Sequence, residues 1–369
     1  MRADWELKNM SEYIEVIRMA VSYFPLIALV MSVPFMLLEY HRFGALSFFK
    51  GVVVYSFVLY MTCAYCLIIL PLPDVEEVAK YTSPWCNFIP FRAVYDFFHD
   101  SPFCLTQPST WLKAIKHKSF YTVAFNLVLT LPFGMYVRYY LRAGWKKTLL
   151  LTFLLSLFFE LTQVTGLYFI YPRPYRLCDV DDLITNSLGG LLGWVCAGPF
   201  LKVLPSREAV ESDALRRGRR VSGLRRTVAL FLDMFLFGML TLLLYLPRLL
   251  PFWAVLALTF VLYYVIISHL LGGSAPAEAF LRLRIVDARD RNSLWRLILR
   301  RLLFVAVYFG LPILAVVVSA QAGQAIITLA VAAVMGAFYL GVGIKYLFTN
   351  KPMSYEHLSG THMVSTLAG

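Results

Sequence analysis

About nine long apolar runs constrain this chain more than any other feature of its sequence. Each run is close to the length of about 20 residues that a helix needs to cross a hydrocarbon layer about 30 Å thick. Inside such a layer the backbone must satisfy its own hydrogen bonds, and a helix does so within one segment. The sequence therefore predicts an all-α polytopic membrane protein. The predicted spans are residues 21–38, 51–72, 119–141, 148–170, 183–204, 227–246, 251–271, 302–320 and 325–347.

The segment 205–224 interrupts this apolar pattern. It reads PSREAVESDALRRGRRVSGL and combines Pro, Ser and Gly with many charged side chains. This composition is typical of a linker. The sequence thus predicts a first membrane domain over 1–204 with five spans, a basic linker, and a second membrane domain over 225–369 with four spans. No internal repeat relates the two halves, so an inverted-repeat transporter is not favoured.

A polar insertion near 280–300 divides the second domain. The segment FLRLRIVDARDR at 280–291 alternates apolar and polar residues over its first part, as a half-buried strand does. The insertion continues with SLWRLILRR, which places leucines on one side of a helix and arginines on the other. Basic amphipathic helices favour a membrane surface. We therefore expect a small cytoplasmic strand followed by an amphipathic helix.

The 34 Lys and Arg residues give a formal net charge of +12, and their positions predict the orientation of the chain. Cytoplasmic loops of membrane proteins collect Lys and Arg. Most of these residues fall on the inner side if the N-terminus lies outside and the C-terminus lies in the cytoplasm. Anionic lipids of the inner leaflet are then the expected partners of the Arg-rich segments, and no nucleic acid is needed to explain the charge.

Polar and small residues line one face of the fifth predicted span, directly after Arg176. They follow one another at spacings of 3, 4, 3 and 4 residues, which places them on one side of a helix. They are Asp179, Asp182, Asn186, Gly189 and Gly193. Asp at a helix N-terminus is a common cap. Capping alone is therefore one interpretation, and a functional polar cluster is the other.

Two neighbouring spans also carry polar side chains in apolar surroundings. Glu160 and Gln163 stand three residues apart in the fourth span. A glutamate inside a membrane is costly, so it indicates either a function or a bond that holds helices together. Asn126 lies in the third span, where Pro132 frees backbone groups and Gly134 leaves room. We predict one ligand-binding polar pocket near the outer leaflet, formed by Asn126, Glu160, Gln163, Arg176, Asp179, Asp182 and Asn186.

The predicted outer loop 73–118 is rich in Pro and Trp, which indicates an ordered cover at the membrane interface. Cys86 and Cys104 lie in this loop, and Cys178 lies in the next outer loop. A disulfide is chemically possible on that side of the membrane. A Cys86–Cys104 bridge and free thiols are both open.

Four ordered motifs resemble those of the VanZ-like family of bacterial membrane proteins. They read NFIPF at 87–91, NLVLTLPFG at 126–134, ELTQ at 160–163 and RLCDVDDLITNSLGGLLG at 176–193. The resemblance implies a bacterial plasma-membrane protein with a role in the cell envelope. Through the founding member of the family, it also implies a link to resistance against the glycopeptide teicoplanin. Besides the pocket residues, it carries over Asn87, Pro90, Pro132, Gly134, Gly189 and Gly193 as structural motif residues.

The second half resembles the RDD family of membrane domains. RRTVALFLD at 225–233 is similar to the opening motif and supplies Arg226 and Asp233, while LRLRIVD and YEHLSGTHMV, with Glu356, are similar to later motifs. The family is associated with transport-like roles. An ion pair between Asp233 and an arginine is the structural alternative to a function.

Two positions depart from the RDD pattern. The Gly-Lys position of the family reads Ala277-Glu278, and its closing His-Asp reads Tyr355-Glu356. Glu356 can replace an acid. The missing lysine, however, puts in doubt any ion or phosphate contact that the family makes there.

Three functions are compatible with these residues. The leading prediction is a non-enzymatic protein that binds the headgroup of a membrane lipid, a wall precursor or a lipoglycopeptide, with Arg176 on a phosphate or carboxylate and the acids on an amine or hydroxyl. The second is an ion- or proton-coupled transporter or flippase that uses Glu160 and Asp233. The third is an enzyme acting on lipid phosphates, although the sequence contains no nucleophile elbow and no metal-spaced His pair. No cofactor and no metal are predicted.

A labelling experiment tests the predicted orientation. In a cysteine-free background, a cysteine introduced in the loop around residue 175 is expected to react with an impermeant maleimide on intact cells, because that loop is predicted to lie outside. A cysteine in the linker 205–224 is expected to react only after permeabilisation. The reverse pattern would move the polar pocket to the cytoplasmic side.

Overall fold

The computed structural model describes residues 2–287, 289, 293–321, 325–349 and 353–367. Part of the predicted insertion at 280–291 and Lys351 of the predicted inner tail lie outside the described residues. Within the described residues, nine helices are long and apolar enough to cross a membrane, which confirms the predicted fold class. They are Ile14–Phe43, Phe48–Ile69, Lys118–Leu141, Trp145–Val164, Val180–Val203, Gly223–Tyr245, Phe252–Leu270, Leu294–Ser319 and Ala325–Phe348.

The ends of two helices differ from the predicted spans in ways that shape the polar region. The fourth spanning helix ends at Val164 rather than at residue 170, because Gly166 follows with a φ of +59° that a right-handed helix cannot contain, and the short turn Gly166–Phe169 that begins there is left-handed. The fifth begins at Val180 rather than at residue 183, so Asp181 and Asp182 form its first turn.

The elements follow one another in chain order. Those of the first half are α1 (Arg2–Phe43), α2 (Phe48–Ile69), α3 (Val75–Ala79), β1 (Cys86–Asn87), α4 (Arg92–Asp100), α5 (Pro108–Ile115), α6 (Lys118–Leu141), α7 (Trp145–Val164), α8 (Gly166–Phe169), β2 (Cys178–Asp179) and α9 (Val180–Val203). Those of the second half are α10 (Arg207–Gly218), α11 (Gly223–Tyr245), α12 (Phe252–Phe260), α13 (Ser268–Leu270), α14 (Pro276–Phe280), β3 (Leu283–Asp287), α15 (Leu294–Val305), α16 (Leu311–Gln321), α17 (Ala325–Phe348), α18 (Ser354–Ser359) and β4 (Thr361–Ser365). π-helical turns over Val261–Ile267 and Ala306–Gly310 join α12 to α13 and α15 to α16.

The chain forms two compact units. The first comprises Met1–Met31 with Phe49–Arg207, and the second comprises Ser32–Phe48 with Glu208–Gly369. The division after Arg207 falls inside the segment predicted as a linker, and most of that segment is the helix α10.

Close approach of α6, α7 and α9 forms the centre of the first unit. A Cβ atom on Gly193 would overlap the carbonyl of Leu131 in α6, and one on Gly189 would overlap the carbonyl of Leu127. In the other direction, a Cβ on Gly134 of α6 would overlap the carbonyl of Gly190 in α9. Small residues allow helices in membranes to approach until their backbones touch. The glycines of the predicted polar face therefore bring α9 against α6.

A polar stripe on α7 packs against the other side of α9. Thr148, Thr152 and Ser156 are fully buried and spaced by four residues, so they lie on one face of the helix. The two threonine hydroxyls donate to the backbone carbonyls four residues earlier, at 3.1 Å and 2.9 Å. The Thr152 side chain lies where a Cβ on Gly190 would stand.

A two-stranded sheet closes one end of the second unit. Strands β3 and β4 pair antiparallel, with Leu283 opposite Ser365 and Asp287 opposite Thr361. In β3 the side chains of Leu283 and Ile285 are fully buried while that of Arg284 is exposed, but Val286 and Asp287 are buried as well, so the predicted alternation holds only over the first three residues. The strand is shorter than the predicted segment 280–291 because α14 ends only at Phe280.

A glycine substitution tests the contact between α6 and α9. Gly193→Ala is expected to destabilise the protein by about 1–3 kcal/mol, because the added methyl group forces two backbones apart. Gly51→Ala in α2 is the matched control, since a Cβ there meets nothing within 4 Å. The measurement is the thermal unfolding midpoint of both variants in the same detergent. Equal midpoints would show that α9 does not need this contact.

Candidate functional site

A short parallel strand pair brings two distant segments together at the N-terminus of α9. Strand β1 pairs with β2, with Cys86 opposite Cys178 and Asn87 opposite Asp179. The backbone N–H of Cys178 also donates to the carbonyl of Trp85 at 3.1 Å. The first sequence motif therefore lies beside the last one, although the two are about ninety residues apart in the sequence.

Asp179 connects the strand pair to the helix. The side-chain amide of Asn87 donates to both carboxylate oxygens of Asp179, at 3.1 Å each. The same carboxylate accepts the backbone N–H of Asp181 at 2.9 Å, which is the geometry of an N-cap. Asp179 is thus a cap, as one interpretation of the sequence holds, and it also receives a side chain from another segment.

Asp181 holds the loop that contains the NFIPF motif, and the sequence alone did not identify this role. Its two oxygens accept the backbone N–H groups of Phe91 at 2.5 Å and Ala93 at 2.7 Å. Phe91 has a φ of 63°, a left-handed conformation that is uncommon for an aromatic residue. Pro90, which precedes it, is exposed. Because Asp181 is off the face of Asp179 and Asp182, helical periodicity gave no signal for it.

Glu160 and Asp182 complete the acidic group, which consists of Glu160, Asp179, Asp181 and Asp182. The Glu160 carboxylate is 4% exposed and accepts the backbone N–H of Asp179 at 3.0 Å. Asp182 accepts the side-chain amide of Asn126 at 2.5 Å. The carboxyl groups of Glu160, Asp179 and Asp182 are close enough to interact electrostatically. Asp179 and Asp182 are only partly buried, so these two acids lie on the accessible side of Glu160.

Asn186 lies one turn deeper and joins all three central helices. Its amide donates to the hydroxyl of Ser156 at 2.9 Å, and its backbone carbonyl accepts the hydroxyl of Thr130 at 2.7 Å. Ser156 in turn donates to the carbonyl of Asp182 at 3.2 Å. Sequence reasoning missed Ser156 and Thr130. The four-residue spacing of Ser156 and Glu160 was the available signal.

The acidic group has no positively charged partner among the residues that the structure describes. None of its four carboxyl groups forms an ion pair there. Their hydrogen bonds come from neutral amides, from backbone N–H groups and, for Glu160, from the thiol of Cys178. No cluster of three or more His, Cys, Asp or Glu suited to hold a metal ion occurs among the described residues. The group therefore places four acidic side chains together without an ion-paired basic side chain in the described part of the chain.

Arg176 and Gln163 belong to a second group, at the C-terminal end of α2. The guanidinium of Arg176 donates to the carbonyls of Leu67, at 3.2 Å, and of Leu70. The amide of Gln163 donates to the carbonyl of Ile68 at 3.5 Å. The last carbonyls of a helix have no partner within the helix and carry partial negative charge. These side chains therefore stabilise the end of α2.

Pro132, another motif residue, lies inside α6. A proline removes one backbone donor from the helix. Nearby, the hydroxyl of Tyr60 in α2 donates to the carbonyl of Leu129 at 2.7 Å. α2 therefore contacts α6 close to the point where the proline interrupts its hydrogen bonds.

The motif residues of the second unit form a separate set of contacts. Arg226 donates to both carboxylate oxygens of Glu356 at 3.1 Å, and Arg300 donates to the same carboxylate at 2.6 Å. Burial raises the pKa of Glu356, but the charges of Arg300 and Arg226 outweigh it, so the pKa lies below its usual value. Asp233 instead accepts the hydroxyl of Tyr263 at 2.6 Å.

The cysteines of the predicted outer loops are all free thiols. Cys86 faces Cys178 across the strand pair, whereas the thiol of Cys104 contacts the hydroxyl of Thr106 at 3.3 Å. Burial raises the pKa of the Cys178 thiol, with further contributions from Cys86 and Glu160. Cys178 of β2 thus contacts both Cys86 of β1 and Glu160 of the acidic group.

Comparison with known proteins identifies a family over part of the chain. Residues 57–202 match the model of the VanZ/LLP1 family. This range includes all four motifs and the whole acidic group. No curated protein and no solved structure matches the chain significantly. The family match ends before the second unit, where the resemblance to the RDD family stays a prediction.

Directed oxidation tests the strand pair beneath the site. Neighbouring strands lie about 4.8 Å apart, which suits the Cα separation of a disulfide. A variant that keeps only Cys86 and Cys178 is therefore expected to form an intramolecular disulfide with a mild oxidant, detected by mass spectrometry of its peptides. The matched variant that keeps only Cys86 and Cys104 is expected to stay reduced. A bridge in the second variant alone would contradict the observed register.

Proposed function

We propose that the segment 57–202 binds the amine or hydroxyl groups of a cell-envelope headgroup, either a lipid, a wall precursor or a lipoglycopeptide. We further propose that this binding is how the protein contributes to glycopeptide resistance. The observation that carries the proposal is the acidic group, whose four carboxylates lack a cationic partner among the described residues. The match to the VanZ/LLP1 family supports the link to resistance at the level of the family.

The charge of the acidic group favours a ligand with an amine. Like charges at close range repel one another, and this repulsion is stronger where water is scarce. A bound ammonium group relieves the repulsion and can donate three hydrogen bonds. Asp179 and Asp182 are the accessible members and would contact the ligand directly. Glu160, which is 4% exposed, would act from behind them.

The acids are held in place before any ligand arrives. Asn87 fixes Asp179, Asn126 fixes Asp182, and the backbone of Asp179 fixes Glu160. Groups that are already oriented lose little freedom on binding, which raises affinity. This supports a binding site. It also explains why the motifs have asparagine at these positions, because a neutral amide orients a carboxylate without neutralising it.

Apolar surfaces beside the acidic group suit the tail of an amphiphilic ligand. Phe88, Ile89 and Phe91 of the NFIPF loop are each more than half exposed. Exposed aromatic residues of this kind favour the membrane interface. An outer-leaflet ligand would place its headgroup on Asp179 and Asp182 and its chain along this loop.

The role first predicted for Arg176 changes in this proposal. Its guanidinium donates to two carbonyls at the end of α2. We therefore assign it to stabilising that helix end, and we leave recognition of the ligand to the acids. Arg176→Gln would then lower the amount of folded protein more than the affinity for ligand.

Resistance assays of acid variants test the proposal. Asp182→Asn and Asp179→Asn are expected to abolish any resistance to teicoplanin that the protein confers, because each removes a charge and keeps the shape. Asp96→Asn, on the exposed helix α4, is the matched control and is expected to keep resistance. Membrane levels of every variant are measured by immunoblot. Normal levels with unchanged resistance in the two site variants would contradict the proposal.

Proton-coupled transport is the second candidate, and the buried acid Glu160 within α7 is the observation that favours it. Glu160→Gln keeps the shape and the hydrogen bond of the side chain but cannot carry a proton. If Glu160 only accepts the hydrogen bond from Asp179, the Gln variant should retain activity across external pH while Glu160→Ala loses it. Equal loss in both variants, together with dependence of the activity on a proton gradient, would favour transport.

A further inference from the structure

The second unit contains a cavity of about 320 Å³ that is polar at one end and apolar at the other. Arg226, Arg300 and Arg301 line the polar end, together with Asp233 and Glu278. This volume is within the range of about 300–1,000 Å³ that small-molecule sites usually have. The cavity is separate from the acidic group, since all of its lining residues belong to the second unit.

One face of α11 lines the cavity. Arg226, Leu230, Met234 and Phe237 follow one another on it at spacings of four, four and three residues, and Asp233 lies beside Met234. At a rise of about 1.5 Å per residue, this face runs about 16 Å from the guanidinium end to the aromatic end. A molecule that follows the face meets the guanidinium of Arg226 first, passes Asp233, and then meets only apolar side chains of this helix.

Positive charge is in excess locally, around Arg226 and Arg300. The single carboxylate of Glu356 is shared by the guanidinium groups of these two arginines. The carboxylate of Glu278 pairs with Arg301 at 2.6 Å, so that ion pair is locally neutral. Asp233 makes the polar end, together with Glu356, formally neutral as a whole, but it accepts hydrogen bonds from the Tyr263 hydroxyl at 2.6 Å and the Ala277 backbone N–H at 2.9 Å and forms no ion pair with either arginine. The group of Arg226, Arg300 and Glu356 therefore keeps one positive charge within the group.

Two donors at this end have no acceptor among the described residues. They are the Nε–H groups of Arg226 and Arg300, whose side chains are 4% and 1% exposed. Buried donors are normally paired with an acceptor. Both residues line the cavity. An oxygen-rich anion at the polar end would give both donors their acceptor and would balance the excess charge.

The apolar end opens towards the surface of the spanning helices. Met234 and Val305 line the cavity and are 43% and 44% exposed. They lie on α11 and on α15, the first part of the spanning helix Leu294–Ser319. The cavity therefore has exposed apolar lining residues on two spanning helices, where a hydrocarbon chain can meet the surrounding lipid.

We propose that this cavity binds a singly charged anionic amphiphile, with its phosphate or carboxylate on Arg226 and Arg300 and its chain along the apolar face of α11. The shared chemistry of the headgroup is an oxyanion, and the source favoured by the apolar end is a membrane lipid. A free phosphate ion would use only the polar end of the cavity.

The experiment measures binding to the full-length protein in a neutral detergent. Dihexanoyl phosphatidylglycerol is the probe, with dihexanoyl phosphatidylcholine and inorganic phosphate as comparisons. Each is titrated while the thermal unfolding midpoint is followed, because a ligand that binds only the folded state raises the midpoint more at a given concentration the more tightly it binds. The anionic lipid is expected to bind at least about tenfold more tightly than the other two, because phosphatidylcholine has no net charge and inorganic phosphate has no chain.

Two tryptophan variants show whether this cavity is the site. Met234→Trp fills the lateral opening without touching any charge and is expected to weaken binding by about tenfold or more. Phe235→Trp is the matched control, because Phe235 is 62% exposed on the same helix and does not line the cavity. Asp96→Asn on α4 of the first unit, which belongs to neither proposed site, is expected to leave the affinity unchanged.

Three results would overturn the proposal. Equal affinity for the anionic and zwitterionic lipids would remove the role of the arginines. Phosphate that binds as tightly as the anionic lipid would indicate a free-ion site without a chain. Unchanged binding in Met234→Trp would place the lipid elsewhere on the protein.

Discussion

Polar groups in an apolar environment need partners from the chain itself, and the first unit is organised around this requirement at α9. The N-terminus of α9 carries the acids, its middle carries the glycines, and α6 and α7 approach it closely on two sides. That approach brings Thr130 and Ser156 within hydrogen-bond distance of Asn186. The packing of the helices and the satisfaction of their polar groups are thus one arrangement, because side chains this short bond only across helices in contact.

Periodicity in the sequence was enough to predict the helices and one face of the site. Spacings of three and four residues placed Asp179, Asp182 and Asn186 together, and the structure has all three on the same side of α9 with partners from other segments. Ser156 belongs to a polar stripe on α7 with a regular four-residue spacing, so the same periodicity could have predicted it. These features are local, since the geometry of one helix determines them.

Contacts made by loops could not be predicted in this way. Arg176 precedes the acids in sequence, yet its guanidinium reaches the end of α2, and Asp181 holds a loop that lies far earlier in the chain. Neither contact leaves a periodic signal, because both depend on how a connection folds back. The facing pair of Cys86 and Cys178 is a further example, since only the parallel register of β1 and β2 brings those residues together.

In the proposed binding function, the contacts of Arg176 with the end of α2 bear on what the site recognises. An arginine among the carboxylates would have neutralised part of their charge and offered a contact for phosphate. With its guanidinium on the carbonyls of α2, the accessible acids are left with neutral donors. Asp181 meanwhile binds backbone N–H groups of the NFIPF loop, so one acid orients the loop while Asp179 and Asp182 remain for a ligand. A cation that competed for Asp181 would release the loop, whereas one that binds Asp179 and Asp182 leaves it in place. The arrangement therefore favours a ligand that contacts the two half-buried acids from the side of the loop, without displacing the residues that position it.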